Sequence, residues 1–172
     1  MPGQARLAAP GTLSLAAKGS CLLDIFVDAD GCPVKQEVYR VAKRYGLKVT
    51  LVSNSRMRTP HEDWLEIVVV DGQFDAADDW IVEHVSENDI VISGDIPLAS
   101  RCLEKGARVL TPTGRVFTQD GIGEALASRG FLSYLRDLGT LTGGPAPFEK
   151  RDRSRFLQRL DETIQAVRSR KS

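Results

Sequence analysis

Short apolar runs, each ending near an acidic or polar residue, alternate with amphipathic stretches between residues 22 and 110. The runs cover residues 22–27, 48–52, 67–70, 90–92 and 108–110, and their apolar, β-branched character is typical of buried strands. Strands that alternate with helical stretches over short connections indicate a parallel sheet with crossover helices. We therefore predict an α/β fold: a three-layer, Rossmann-like parallel sheet with helices on both faces and a C-terminal helix.

The helical stretches follow from apolar residues at 3-4 spacing. We predict helices over residues 34–45 and 97–105, one that begins at Asp75, and, further on, helices over 121–128, 131–138 and 149–168. Gly46 should end the first of these helices, because glycine adopts the left-handed conformation that closes a helix. Residues 111–120 are predicted to form a loop or a small hairpin, and residues 143–147 a stiff linker.

Length and composition indicate one compact domain. A chain of 172 residues with 42% hydrophobic composition can bury one core, which we assign to residues 21–169, with residues 1–20 as a disordered extension. The formal net charge is zero, so any contact with nucleic acid must depend on local basic patches. Three cysteines without zinc or redox spacing, and no apolar run of the ~18 residues that span a bilayer, predict a reduced, cytoplasmic protein without a membrane segment.

Acidic residues follow the predicted strands, and a parallel sheet brings the carboxyl ends of its strands to one edge. Two carboxylates about 5 Å apart repel each other by roughly 3 kcal/mol at an effective dielectric constant of 20. A divalent cation, Mg or Mn, is the simplest source of compensation. The candidate metal ligands are Asp28, Asp30, Asp75, Asp78, Asp79 and Asp95, and the candidate catalytic residues are Asp28, Asp30, Asp78 and Asp95.

Each of these acids also has a structural interpretation. Acids after strands suit turns, and both Asp75 and Asp95 precede helices that they could cap. Successive helical residues point about 100° apart, so Asp78 and Asp79 cannot both face one cation, and we favour Asp78.

Basic and hydroxyl side chains near the same edge are candidates for binding phosphate. Guanidinium groups hold phosphate oxygens in bidentate fashion, and the basic start of the last helix opposes the helix dipole. Solvated surface charges are the alternative. The candidate substrate-binding residues are Arg56, Arg58, Ser93, Lys150, Arg151 and Arg153.

Four stretches of the chain resemble the bacterial YaiI/YqxD family, in the right order. They are DADGCPVKQEVYRVAKRYG (28–46), FDAADDWIVEH (74–84), SGDIPLASRCLEKGA (93–107) and TGGPAPFEKRDRSRF (142–156). The resemblance extends from residue 22 to about residue 167. This family is placed among PIN-like domains, whose better-known members are magnesium- or manganese-dependent nucleases.

The resemblance implies roles for particular acids. Asp28 and Asp30 match the acid after the first strand of PIN-like domains, Asp75 and Asp78 the acid that opens the central helix, and Asp95 the acid of a threonine-x-aspartate-like motif. Ser93-Gly94 stands where threonine and alanine are common, which preserves a hydroxyl, and Gly31 stands where alanine is common. The first twenty residues match nothing in the family.

Three functions remain open from the sequence. The first is a metal-dependent phosphodiesterase acting on RNA or another nucleic acid or phosphate-containing ligand. The second is a haloacid-dehalogenase-like phosphatase with Asp28 as nucleophile, but no lysine lies between residues 54 and 93 to neutralise the phosphoryl intermediate. The third is a noncatalytic module that binds metal or nucleotide. The oligomeric state is open as well, and a homo-oligomer is among the possibilities.

Overall fold

The computed structural model describes residues 6–7, 23–73, 75–139 and 147–171. Apart from residues 6–7, the predicted N-terminal extension lies outside the described residues, and so does the predicted linker up to residue 146. No helix within the described ranges is both long enough and apolar enough to cross a membrane.

Within the described residues, seven strands form one sheet. Its spatial order is β1-β4-β3-β2-β5-β6-β7, and every neighbouring pair is parallel except β6 and β7. The order runs outward from β2 in one direction through β3 and β4, and in the other through β5 and β6, as in doubly wound folds. The strands are β1 (Arg6–Leu7), β2 (Asp24–Asp28), β3 (Lys48–Ser53), β4 (Leu65–Val69), β5 (Ile90–Ile92), β6 (Arg108–Leu110) and β7 (Val116–Phe117).

Helices cover both faces of this sheet. They are α1 (Lys35–Tyr45), α2 (Ala76–His84), α3 (Ile96–Glu104), α4 (Gln119–Asp137) and α5 (Lys150–Lys171). Alternate residues of β2 divide between two cores: Ile25 and Val27 pack with α1 and α5, and Phe26 packs with α2, α3 and the first turn of α4. The predicted α/β fold, with its mostly parallel sheet and C-terminal helix, is confirmed.

One prediction about the helices is confirmed, and another is wrong. Gly46 has φ +65° and ends α1, as predicted. Two helices were predicted, over residues 121–128 and 131–138, but a single helix covers residues 119–137, with Gly130 inside it. A glycine inside a helix costs only about 1 kcal/mol relative to alanine, which is too little to interrupt a helix that continues on both sides.

Helices α1 and α5 lie side by side and are joined at both ends. At the start of both helices, Arg153 Nη1 donates to Glu37 Oε1 at 2.6 Å. At the other end, the hydroxyl of Tyr45 donates to Asp161, and Arg168 Nη2 donates to the Tyr45 carbonyl at 2.7 Å. These contacts fix the first turn of α5 at the carboxyl edge of the sheet, where β2 and β5 end.

Candidate functional site

The hydroxyl of Ser93 joins two of the predicted acids at the point where the strand order reverses. Asp28 is the last residue of β2, and Ser93 directly follows the neighbouring strand β5. Ser93 Oγ donates to Asp28 Oδ2 at 3.1 Å and accepts from the backbone N of Asp95 at 3.0 Å. Asp28 and Asp95 therefore lie at the same edge, in the crevice where doubly wound folds bind ligands.

The pKa is raised at two of these acids, Asp28 and Asp78. Burial raises the pKa of Asp28, and the nearby Asp30 and Asp95 raise it further, while the hydrogen bond from Ser93 opposes them. Burial, followed by Asp95, Asp28 and Asp75, raises the pKa of Asp78 to about 6. These acids disfavour each other's ionised form, which is the electrostatic condition that a bound cation would relieve.

The neighbouring acids Asp78 and Asp79 have different surroundings. Arg101 Nη1 of α3 donates to Asp79 Oδ1 at 2.8 Å, in an exposed ion pair that holds Asp79 to the surface of α3. Asp78 instead interacts electrostatically with Asp28 and Asp95. Of the two, the structure brings Asp78 towards the edge where β2 and β5 end. The contact of Arg101 with Asp79 could not be inferred from the sequence, since the two residues lie on different helices, 22 positions apart.

Asp30 and Asp95 already have structural partners. Asp30 accepts from Ser53 Oγ at 2.6 Å and from the backbone N of Asn54 at 2.8 Å, so it fastens the loop after β2 to the end of β3. Asp95 Oδ1 accepts from the backbone N of Leu98 at 2.9 Å and caps α3. The capping interpretation of Asp95 is thus correct in itself, and it leaves Oδ2 outside that bond.

Asp75 occupies the N-cap position of α2, as predicted, but its side chain makes no capping hydrogen bond. It is exposed and contributes to the charge around Asp78. The negative charge of Asp75 therefore affects the site by raising the pKa of Asp78.

The oxygen donors at this edge suit a hard cation in type, but they do not form a closed cage. Among the residues that the structure describes, no three His, Cys, Asp or Glu side chains lie close enough together to hold a metal ion. Mg²⁺ usually retains several waters and takes only one or two carboxylates together with substrate phosphates. An open site in which Asp28 and Asp78 are the carboxylates with raised pKa values fits that mode of binding.

The predicted phosphate-binding residues fall into two groups. Arg56 and Arg58 lie exposed in the loop after β3, which leaves the sheet at the edge that carries Asp28. Lys150 and Arg151 are exposed on the first turn of α5. The backbone of Arg155 and Phe156 touches Gly114, in the turn after β6, which places that first turn at the same edge.

Arg153 is already engaged inside the molecule. Besides its bond to Glu37, its guanidinium donates to the Pro33 carbonyl at 3.3 Å and lies 5.2 Å from the centre of the Phe148 ring. Glu37 is 95% buried, and a buried acid needs a basic partner, which Arg153 supplies. Its burial could not be predicted from its place next to Val38 in the sequence, because successive helical residues point about 100° apart.

Replacing Asp78 with asparagine should stabilise the metal-free protein at pH 8 and have little effect at pH 4. The pKa of Asp78 is about 6 in the folded protein against 3.8 ordinarily, so its ionisation destabilises the fold as pH rises through this window. After allowance for solvent screening, the gain should be on the order of 1 kcal/mol. Urea unfolding in the presence of a chelator, at several pH values, measures it.

The control for this measurement is Asp79→Asn, which removes the same charge one residue away. Its exposed ion pair with Arg101 should change the free energy of unfolding by no more than about 0.5 kcal/mol, without the same pH dependence. If Asp78→Asn is no more stable than the wild type at pH 8, ionisation of Asp78 does not destabilise the fold.

The fold and the site together define a doubly wound α/β protein with several acids at the carboxyl edge of its sheet, where the strand order reverses. The profile of the "Uncharacterized BCR, YaiI/YqxD family" matches residues 26–166. The chain belongs to this family. No solved structure matches it.

Curated relatives agree with this assignment. A UPF0178 protein of Rhodospirillum centenum is 57% identical over 151 residues, which covers 86% of this chain and 98% of the relative. A UPF0178 protein of Rhodospirillum rubrum is 51% identical over 147 residues, with 85% and 98% coverage. One of Brucella ovis is 55% identical over 141 residues, with 81% and 88% coverage.

Proposed function

We propose that this protein is a magnesium- or manganese-dependent phosphodiesterase that cleaves RNA or another nucleic acid. The observation that carries the proposal is the arrangement at the switch point, where Ser93 joins Asp28 to Asp95 and Asp78 is repelled by both. The resemblance to PIN-like domains supports the same chemistry. Both lines of support concern one edge of the sheet.

Asp28 and Asp78 are the residues that we assign to metal binding, with Asp95 as a further oxygen donor. A bound divalent cation would activate water and stabilise the charge on the leaving oxygen. Asp30 keeps the loop after β2 in place through Ser53 and Asn54. The protein's own contribution is to hold these carboxylates at one edge of the sheet.

Basic side chains at the edge supply contacts for the phosphate backbone. Arg56 and Arg58 lie on the loop after β3, and Lys150 and Arg151 on the first turn of α5, which is held at the edge by Arg153 and Gly114. Such contacts fix a nucleic acid in place without reading its sequence. They also make binding weaker at higher salt concentration, since cations are released when phosphates are neutralised.

The phosphatase alternative has less support. Its general acid would be Asp30, yet Ser53 Oγ and the Asn54 backbone N both donate to that carboxylate. Both oxygens of Asp30 are thus already engaged within the protein. Lys35 Nζ donates to the Ala29 carbonyl at 3.3 Å, but Lys35 begins α1, before β3, and not in the stretch where a phosphatase of this type has its lysine. A trapped aspartyl-phosphate or a beryllofluoride adduct at Asp28 would favour this alternative.

The purified protein should hydrolyse a nucleic acid only in the presence of Mg²⁺ or Mn²⁺. The test incubates it with labelled single- and double-stranded RNA and DNA, with each metal and with a chelator, and follows product length. Calorimetric titration with Mn²⁺ runs in parallel. Metal binding without hydrolysis of any substrate would indicate the noncatalytic module instead, and hydrolysis that survives the chelator would contradict the proposal.

A further inference from the structure

Helix α4 leaves most of its surface without a partner in the described part of the chain. It has 19 residues, so it is about 28 Å long, and Ile122 is the one buried side chain among those described for it. Leu126 and Leu132 are 37% and 42% exposed, and Leu138, just after the helix, is 60% exposed. Leu132 and the partly exposed Leu135 lie on one side of the helix, away from Leu126, and form the apolar part of an uncovered surface.

Four residues of α4 form a stripe of the kind found in two-helix coiled coils. Ala125, Ser128, Leu132 and Leu135 recur at 3-4-3 spacing, which places them on one side of the helix. The small residues stand in the N-terminal half of the stripe, and the leucines in its C-terminal half. This stripe, residues 125, 128, 132 and 135, is called the α4 stripe below.

Charged residues border the α4 stripe with opposite signs on its two sides. Glu124 lies on one side and Arg129 on the other, and both are exposed. In a parallel pair of identical helices, the acid of each copy faces the base of the other, five positions further along, and the contact occurs twice. In an antiparallel pair the acid would face its own counterpart, because the same side of each stripe then comes together.

We propose that a second copy of this chain packs on the α4 stripe, with the two α4 helices parallel. Self-complementary charge is what a two-fold contact between identical surfaces requires, and it selects a second copy over an unrelated partner. A contact of about three helical turns is smaller than the roughly 1,200–2,000 Å² of standard interfaces, so the dimer should be weak, with a Kd in the micromolar range.

Sedimentation velocity from about 1 to about 500 μM tests this proposal. We expect the average mass to rise from one chain towards two across this range. Leu132→Glu should raise the Kd at least about 10-fold, because it places two acids in the apolar part of the contact. The melting temperature and the circular dichroism spectrum of this variant should remain those of the wild type, since Leu132 is exposed.

Charge exchange gives the sharper test. Glu124→Arg and Arg129→Glu should each raise the Kd about 10-fold, because each replaces two attractive contacts with two repulsive ones. The double variant should restore the Kd to near the wild-type value. Lys43→Glu, an exposed charge reversal on α1, is the control and should have no effect. A protein that remains monomeric throughout, or a dimer that withstands Leu132→Glu or is not restored by the double exchange, would overturn the proposal.

Discussion

Replacing Asp28 with asparagine should lower metal-dependent hydrolysis of nucleic acid by at least about 100-fold while the protein remains folded. Asparagine has nearly the same shape, and its carbonyl oxygen can still accept from Ser93 Oγ, which holds the edge together. Stability should not fall, because burial already disfavours the ionised form of Asp28. Initial rates at saturating Mg²⁺ or Mn²⁺, together with the melting temperature, measure both effects.

Asp79→Asn is the matched control for this loss. It removes one carboxylate from the same acidic segment, but one that is paired with Arg101 on the surface, so the rate should stay within about 3-fold of wild type. A wild-type rate in Asp28→Asn would refute the assignment of Asp28 to metal binding. An equal loss in both variants would show that the site depends on total charge and not on a particular ligand.

Replacing Gly114 with alanine should lower the free energy of unfolding by about 2–4 kcal/mol. Gly114 has φ +87°, which alanine rarely adopts, and its added Cβ would lie 2.9 Å from the Arg155 carbonyl carbon and 2.9 Å from the Phe156 backbone N. Backbone atoms cannot rotate away as a side chain can, so α5 or the turn after β6 would have to move. Denaturant unfolding at neutral pH measures the loss.

Gly123→Ala makes the same chemical change, and we expect it to have the opposite effect on stability. Gly123 lies in α4, where an added Cβ would meet nothing within 4 Å. Alanine is the better helix former, so this variant should be more stable by about 0.5–1 kcal/mol. If Gly114→Ala unfolded at the same denaturant concentration as wild type, the close contact between the turn and α5 would not exist in solution.

Much of the fold could be predicted from the sequence, because local patterns determine it. The β-branched runs gave the strands β2 to β6, and Gly46 gave the end of α1, since both depend on residues adjacent in the chain. The hairpin of β6 and β7 lies where a loop or small hairpin was predicted. The division of α4 into two helices was wrong, because Gly130 costs the helix only about 1 kcal/mol relative to alanine and does not interrupt it.

The sequence predicts that the candidate acids lie at one edge of the sheet, but it does not predict which side chains they contact. Parallel strands bring Asp28 and Asp95 together whatever the details of packing, and the structure has them joined through Ser93. The partners of the remaining acids depend on distances between elements that are remote in sequence. Asp79 is engaged by Arg101 and Asp30 by Ser53, and neither contact could be inferred from spacing along the chain.

The last helix fills the core that the first helix and strand begin, which affects how the chain is made in the cell. Phe156, Leu160 and Ile164 of α5 are fully buried against residues such as Ile25 and Val38. During synthesis, this core therefore stays incomplete until α5 has also left the ribosome. Long-range contacts of this kind slow folding, and apolar surface stays exposed to chaperones until they form.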